Sequence, residues 1–403
     1  MSLPARLPDA GGPRVRLAAF SVGLLAALQL PLRAQLAPPS AGGALQLDRL
    51  LHQLSETRRL LVVGAHPDDE DTEVLALAAL RHGAEAAYLS LSRGEGGQNL
   101  IGPELGVGLG LLRTQELLAA RTTDGATQFF TRAFDFGFSR SLEETSRWWP
   151  RDSVLKDAVR VLRRFRPHVV VSVFTGTPRD GHGQHQMAGV VAREAFAAAG
   201  DPGRFPELAR EGLEPWQPLR LYRSTRFDSS GTTLEVQVGT LDLPTGRTFH
   251  QVAMASRSLH RSQDMGQLQR LGPEVARLQL MEAAQPHAPD ERRADDLFQG
   301  IPREDSWVTA LADSLRREIS PARLRLAAAP LADALRRARA EGRSPRVMTL
   351  LERALTTAAG VALDARADQA AVVPGQDFTV SVEAFNGGAA AVTLRSVTVS
   401  ARW

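Results

Sequence analysis

The chain has 403 residues, 43% of them hydrophobic, with 48 Lys and Arg against 45 Asp and Glu and a formal net charge of +3. That length allows two or three domains and a large core. Cysteine is absent, which excludes disulfides, thiolate metal sites and a cysteine nucleophile.

Residues 1–34 carry Arg6, Arg14, Arg16 and Arg33 against Asp9 alone, a surplus of +3 that leaves the remainder formally neutral. Charge therefore argues against a nucleic-acid partner. Arg14 and Arg16 precede the apolar run Leu17–Leu28, which is too short to span a bilayer comfortably, and Pro31 and "LRA" ending at Ala34 follow. This reads as a secretion signal over 1–34, with an uncleaved anchor as the alternative. An exported protein, periplasmic or extracellular, with no stable membrane span after cleavage is expected. Residues 35–58 hold a linker, "APPSAGG", and a leading helix with apolar helical spacing over Leu47–Arg59.

From residue 59 strands alternate with helices. Leu60–Gly64 is an apolar strand, Glu70–His82 a helix with Val74, Leu75, Ala78 and Ala79 on one face, and Ala86–Ser92 a second strand. A glycine-rich loop, Arg93–Gly110, leads to a helix over Leu111–Thr122 and a third strand near Ala126–Phe130. Arg151–Pro167 is an amphipathic helix closed by proline, followed by a β-branched strand, His168–Phe174, and a helix from about Gln186 to Ala199. The alternation predicts an α/β fold, a mostly parallel sheet with helices on both faces, over 59–230. Residues 231–360 read as an antiparallel strand segment, Thr232–Leu243, and a helical extension running from near Val252 to about Ala358. Residues 361–403 form a short C-terminal β segment with a turn at Asn386-Gly387. About three strands are too few for a sandwich, so the chain is expected to stop inside a β domain, or these strands to pack on the preceding helices.

Two motifs carry chemistry. "HPDDE" puts His66, Asp68 and Asp69 just past the first strand, at the sheet edge where ligands of open α/β folds bind. Helix capping accounts for one Asp and Glu70, but not for His66 or a second adjacent Asp. A zinc ion accounts for all three, with His66 and Asp69 wrapping one cation and Asp68 directed at bound water. "DGHGQHQ" places His182 and His185 after the fourth strand, with glycines that permit tight backbone paths; solvent-exposed histidine is its bland reading. A doubly wound sheet sets the first and fourth strands side by side. His66, Asp69 and His185 would then form a three-ligand zinc site with an open fourth position, the arrangement of a catalytic rather than a structural ion. Lack of cysteine agrees with nitrogen and oxygen ligands and leaves Mn or Fe open.

At these residues the sequence resembles the LmbE/PIG-L-like family of metal-dependent sugar de-N-acetylases. The resemblance covers roughly Arg59–Arg223 and rests on "AHPDDE", "RGEGGQN" at 93–99, "RTQELLAA" at 113–120 and "GHGQH" at 181–185. It implies a Rossmann-like fold and hydrolysis of the acetamide of an N-acetylglucosamine-like sugar or glycoconjugate with Zn2+. By that resemblance His66, Asp69 and His185 are metal ligands, Asp68 is the general base, and His182 steadies the oxyanion and protonates the leaving amine. Arg113 matches an arginine of the substrate pocket, and an ordinary solvated helix position is its other reading. Gln184 stands where many relatives have Asp; it can orient His182 but supports its charge less. An aromatic hydroxyl used by some relatives is unmatched, Asp180 standing two positions before His182.

The glycine-rich loop lacks the Gly-Lys-Ser/Thr ending of a phosphate-binding loop, so nucleotide binding is not expected. A lid over a sugar and a plain surface loop remain. Asn99 is a candidate substrate contact, as is Asp135, or each is a turn residue. The alternatives to de-N-acetylation are an amidase acting on another sugar conjugate and a catalytically weak carbohydrate-binding protein.

Overall fold

The computed structural model describes residues 42–284, 296–369, 373 and 375–396. The expected secretion signal lies outside the described residues. The chain divides into two units, and residues 42–361 with 386–393 make up the one that carries the main sheet.

Continuous apolar runs make the central strands, because a strand covered on both faces has no polar side. β1 (Arg59–Gly64), β2 (Glu85–Ser90), β3 (Thr127–Phe130) and β4 (Val169–Ser172) appear where the sequence places them. In β1, Leu60 to Val63 are at most 1% exposed. The seven-stranded sheet has the order β3-β2-β1-β4-β5-β9-β6, where β5 is Arg220–Ser224, β6 Leu234–Gln237 and β9 Val275–Ala283. Strands β1 to β5 are parallel, and β9 and β6 add antiparallel. β1 pairs β2 on one side and β4 on the other, Leu60 facing both Ala86 and Val169. The crossovers to β2 and β3 contain α2 (Thr72–Ala76) and α3 (Val107–Asp124), which the general right-handed rule for such connections sets on one face. After the order reverses, α5 (Arg151–Phe165) and α6 (Gly183–Gly200) cover the other and pack on each other. Between β3 and α5 lies α4 (Leu142–Trp148).

Three expectations are corrected. β5 and β9 were not anticipated, β9 lying inside the predicted helical extension. Its sequence, VARLQLMEA, is rich in good helix formers, and pairing with β5 and β6 overrides that local preference. Strands β6 and β9 also carry the sheet beyond residue 230. The antiparallel run Thr232–Leu243 breaks after Gln237; its end forms β7 (Leu241–Asp242), which pairs with β8 (Arg247–Thr248). The helix predicted over 70–82 begins only at Thr72 and changes to a π turn at Leu77–Arg81, which leaves Asp68 to Asp71 outside it.

A second core lies in the same unit. α1 (Ala44–Ser55) packs with α8 (Trp307–Glu318) and α10 (Pro345–Ala359), and α10 also packs on α9 (Ala328–Ala340). Leu47, Leu50, Leu51 and Leu54 are buried there, at the spacing of one helical face. α7 (Phe249–Arg257) packs against α2 and α3.

The other unit includes residues 362–385. In it β10 (Val361–Ala367) and β11 (Val380–Asn386) form a two-stranded sheet, crossed by the ion pair Arg366–Glu383 at 2.7 Å. Two strands are described where about three were expected. Asn386 ends β11 in a turn, its Oδ1 accepting the Gly388 amide at 3.1 Å. Among the described residues no helix is long and apolar enough to cross a membrane.

Candidate active site

The four acids after β1 have four different roles. Asp69 folds back on its own turn, its Oδ2 accepting the amides of Ala65 at 3.0 Å and His66 at 2.7 Å. That leaves Oδ1 facing His185 Nε2 at 3.3 Å. Asp68 has φ 98°, a conformation costly for a side chain with a Cβ. Two contacts hold it there: its amide donates to Glu70 Oε2 at 2.9 Å, and its Oδ1 takes Arg113 Nη2 at 3.1 Å. Glu70 is fully buried and binds His260 Nε2 at 2.6 Å and Arg121 Nη2 at 3.2 Å. Burial opposes its charge, but His260 and Arg121 hold its carboxyl well below the usual carboxylate range. Asp71 caps α2, accepting the Val74 amide at 3.2 Å and the Ser224 hydroxyl at 2.5 Å. Capping therefore explains one acid of the four.

The second motif arrives across the sheet. β4 lies beside β1, so the loops leaving both strands meet at their carboxyl ends. α6 begins at Gly183, three residues before its predicted start; His182 is its N-cap residue and His185 lies in its first turn. A Cβ at Gly183 would meet Ser141 O at 2.1 Å, so only glycine lets the loop before α4 approach this closely. His185 stacks on Phe174 with ring centroids 3.9 Å apart, and its Nδ1 donates to Asp180 O at 3.2 Å. His182 Nδ1 contacts Gln184 Oε1 at 2.9 Å.

The three imidazoles converge. Ring centroids are 5.3 Å apart for His66 and His185, 5.4 Å for His66 and His182, and 3.7 Å for His182 and His185. One ligand atom from each lies within 4.8 Å of the others. With the Asp69 carboxylate beside them, this nitrogen-rich donor set fits a divalent metal ion. Burial opposes the Asp69 charge, but the imidazoles, His185 foremost, hold its carboxyl far below the ordinary range. Burial likewise opposes a charge on His185, and Asp69 outweighs it and raises the pKa. Burial, then the neighbouring imidazoles, takes His182 down to about 4. Burial pushes the Asp68 carboxyl up, with Arg113 pulling against it.

These groups line a cleft of about 490 Å³. Arg113 is not on a solvated face: it is 3% exposed and donates to Pro67 O at 2.5 Å and Gly94 O at 3.1 Å, besides Asp68. It lines the cleft while fixing the loop that bears Asp68. Asn99 does not line it. Its amide donates to Glu104 O and Oε2, both at 3.1 Å, and its Oδ1 accepts the amides of Ile101 and Gly102, so Asn99 is a turn residue. Of the glycine-rich loop, Gly96, Gly97 and Gln98 reach the cleft. Asp135 faces His66 Nε2 at 3.7 Å. Sequence reading missed Arg226, Phe227, Arg257, Gln263 and Met265, which also line the cleft. Arg226 donates to Asp69 O and, at 2.6 Å, to Glu70 O, so it braces the acidic turn from β5's far end. No local pattern marks it, because its partners are backbone carbonyls 156 and 157 positions away. Tyr88, fully buried on β2, donates its hydroxyl to His66 O at 2.6 Å.

The family pattern described as PIG-L, GlcNAc-PI de-N-acetylase, matches residues 61–196. A 1D-myo-inositol 2-acetamido-2-deoxy-alpha-D-glucopyranoside deacetylase of Geodermatophilus obscurus is 33% identical over 187 residues, 42% of this chain and 62% of that protein. The protein of the same name from Rhodococcus opacus is 34% identical over 207 residues, 47% of this chain and 68% of its own length. Among solved structures, an N,N'-diacetylchitobiose deacetylase from Pyrococcus horikoshii aligns at a TM-score of 0.42 and 18% identity, covering 61% of this chain and 79% of that one. The chain thus spans about three fifths of the Geodermatophilus relative (62%). With the pattern ending inside α6 and taking in both histidine motifs, the chain belongs to the PIG-L, or GlcNAc-PI de-N-acetylase, family.

Proposed function

We propose that the protein is a zinc-dependent de-N-acetylase that hydrolyses the acetamide of an N-acetylglucosamine-like sugar or glycoconjugate, releasing acetate and the free amine. The observation that carries this reading is the meeting of His66, Asp69 and His185 in one cleft with Asp68 beside them. The named relatives are deacetylases of acetamido sugars, which supports the substrate class. Nitrogen and oxygen donors without thiolate suit zinc. Residues 1–34 support export of the protein.

In this reading His66, Asp69 and His185 hold the ion, which when bound supplies Lewis acidity toward the amide carbonyl and acidifies water. Asp68 takes the proton of the attacking water. Arg113 holds its Oδ1, which fixes the carboxylate and leaves Oδ2 as the acceptor. Asp68 then returns that proton to the departing amine, which leaves poorly unprotonated. The resemblance gives that last step to His182, but the partner of His182 Nδ1 is the neutral Gln184 amide, which stabilises an imidazolium less than a carboxylate would. Arg226 and Tyr88 keep the turn between β1 and α2 in register with the cleft.

The test is acetate release from N-acetylglucosamine oligosaccharides and glycoconjugates by the zinc-loaded protein. Asp68→Asn is expected to lower turnover by about 10²- to 10⁴-fold with zinc content unchanged. Full activity in that variant, or no acetate from any acetylated glycan, would overturn the assignment.

A further inference from the structure

Two arginines of the cleft lack the partner that their neighbours have. Arg113 is paired with Asp68, and Arg121 with Glu70 and Asp124. Arg226, just past β5, and Arg257, the last residue of α7, also line the cleft or its wall. Among the described residues neither has a carboxylate at ion-pair distance, and the oxygens they reach are main-chain carbonyls. Arg226 donates to Asp69 O and Glu70 O, and its Nε is buried with no partner. Arg257 reaches the same Glu70 O at 3.3 Å and otherwise only Met265 Sδ at 3.8 Å, a weak acceptor. Both arginines lie beyond residues 61–196, the extent of the family pattern, so that pattern carries no information on them.

Two positive groups therefore meet at one carbonyl oxygen. Burial, then Arg257, opposes the charge on Arg226 and holds its guanidinium below the usual arginine range, against the pull of the nearby acids. Those acids are already engaged. Asp69 takes the amides of its own turn and faces His185, Glu70 holds His260 and Arg121, and Asp71 holds the Val74 amide and the Ser224 hydroxyl. A guanidinium is a planar fork of N–H donors that fits phosphate or carboxylate two oxygens at a time. Two such forks side by side, with most of their donors unspent, make a seat for an oxyanion. The charge balance of the cleft points the same way. Its acids Asp68, Asp69 and Asp135 are matched by Arg113, Arg226 and Arg257. A divalent ion held there leaves the loaded cleft with a positive surplus, which a neutral sugar does not use.

We propose that Arg226 and Arg257 form an anion subsite, and that the substrate is an N-acetylated amino sugar carrying an oxyanion, a phosphate or a carboxylate. This rests on the de-N-acetylase reading above and narrows its substrate. The Asp69 main-chain oxygen meets Arg226 while its carboxylate faces His185. Acetamide and anion are thus bound around one residue, which sets the anion on the sugar ring or directly beside it. Arg257 is the main anion-binding group, because its present contacts are the weaker. Arg226 adds its charge while it braces the acidic turn. Phe227, whose ring lies 4.4 Å from the Arg226 guanidinium, is exposed in the cleft and offers an apolar face to the sugar.

The experiment uses the full chain loaded with zinc. It compares kcat/KM for acetate release from N-acetylglucosamine, from its phosphate esters, and from N-acetylmuramic acid, which carries a carboxylate. At least one anionic sugar is expected to be preferred over the neutral one by about 10-fold or more, the scale of one charge-assisted hydrogen-bonded pair, and the preferred sugar identifies the oxyanion. Arg257→Gln is expected to remove most of that preference by raising KM for the anionic sugar, and Arg257→Lys to keep part of it. These variants separate the arginine pair from the metal ion, which also attracts anions. A smaller preference in the unaltered chain, or one that survives Arg257→Gln, overturns the subsite and leaves the hydrolase reading standing. No acetate from any acetylated sugar, neutral or anionic, overturns both. The comparison of sugars needs no variant, so a folding defect in Arg257→Gln does not shield the proposal.

Discussion

Around Leu51 the chain buries Leu47, Leu50, Leu54, Leu331 and Leu351 against one another. At the carboxyl edge of β1 it buries Glu70, Arg113, Arg121, Asp124 and His260. In the first region each side chain gains about 1.5–3 kcal/mol by leaving water and asks nothing specific of its neighbours. In the second, every charge needs a partner, since an unpaired ion in that environment is far costlier than a lost methyl group. Asp124 is held by Arg121 at 2.5 Å and by the Ser256 hydroxyl at 2.7 Å, and Arg121 is shared with Glu70. The helical core supplies stability that tolerates substitution. The sheet edge holds strained and charged groups in one arrangement, and the φ of 98° at Asp68 persists because that network over-determines it.

Four perturbations test the contrast. The largest effect is expected from chelation, which should abolish acetate release while far-ultraviolet circular dichroism stays native, because the ligand turns are held by protein hydrogen bonds; added zinc should restore turnover. Unfolding on chelation would move the site into the class of structural ions. Next, Glu70→Gln should cost about 3–5 kcal/mol in denaturant unfolding and also lower turnover, since it weakens the hold on Arg121 and on the Asp68 amide. Leu51→Ala should cost about 2–5 kcal/mol and leave turnover per folded molecule unchanged. A loss of activity in that variant at temperatures where it is folded would erase the distinction between the two regions.

The smallest effect concerns His52 on α1. Burial, then Arg316, holds its pKa down to about 4. Its ordinary value is near 6.5, so between pH 6.5 and 4 the unfolded chain binds a proton that the folded chain refuses. Stability should then fall as pH drops through that window, by about 1–2 kcal/mol after allowance for partial exposure, and level off below pH 4. Comparing urea midpoints at pH 7 and pH 5 for the unaltered chain and His52→Gln isolates this contribution; equal slopes would remove His52 from the account.

Much of this was legible before any coordinates. The Leu47, Leu50, Leu51, Leu54 spacing and the β1 and β4 apolar runs are local patterns, and the elements formed where those patterns lie. "HPDDE" and "GHGQH" announced that an excess of acids and imidazoles had to be explained. β9 was not legible because Ala, Arg, Leu, Gln, Met and Glu favour helix until two neighbouring strands supply ladder partners. For Asn99 the sequence left a substrate contact and a turn residue both open, because a turn amide and a substrate amide look alike in sequence, and the structure selects the turn. Glu70 looked like a capping acid, and only its partners His260 and Arg121, 190 and 51 positions away, show its work.

By itself, then, the sequence determined which segments coil, which extend, and which residue types are available for metal and proton chemistry, because those properties depend on neighbours within a turn or two. The tertiary structure decided which of the acids face the cleft, which groups flank each imidazole, and that Arg226 and Tyr88 brace the turn between β1 and α2. Those outcomes depend on the pairing of β1 with β4 and on carbonyls and hydroxyls brought from distant segments, and no spacing along the chain encodes them.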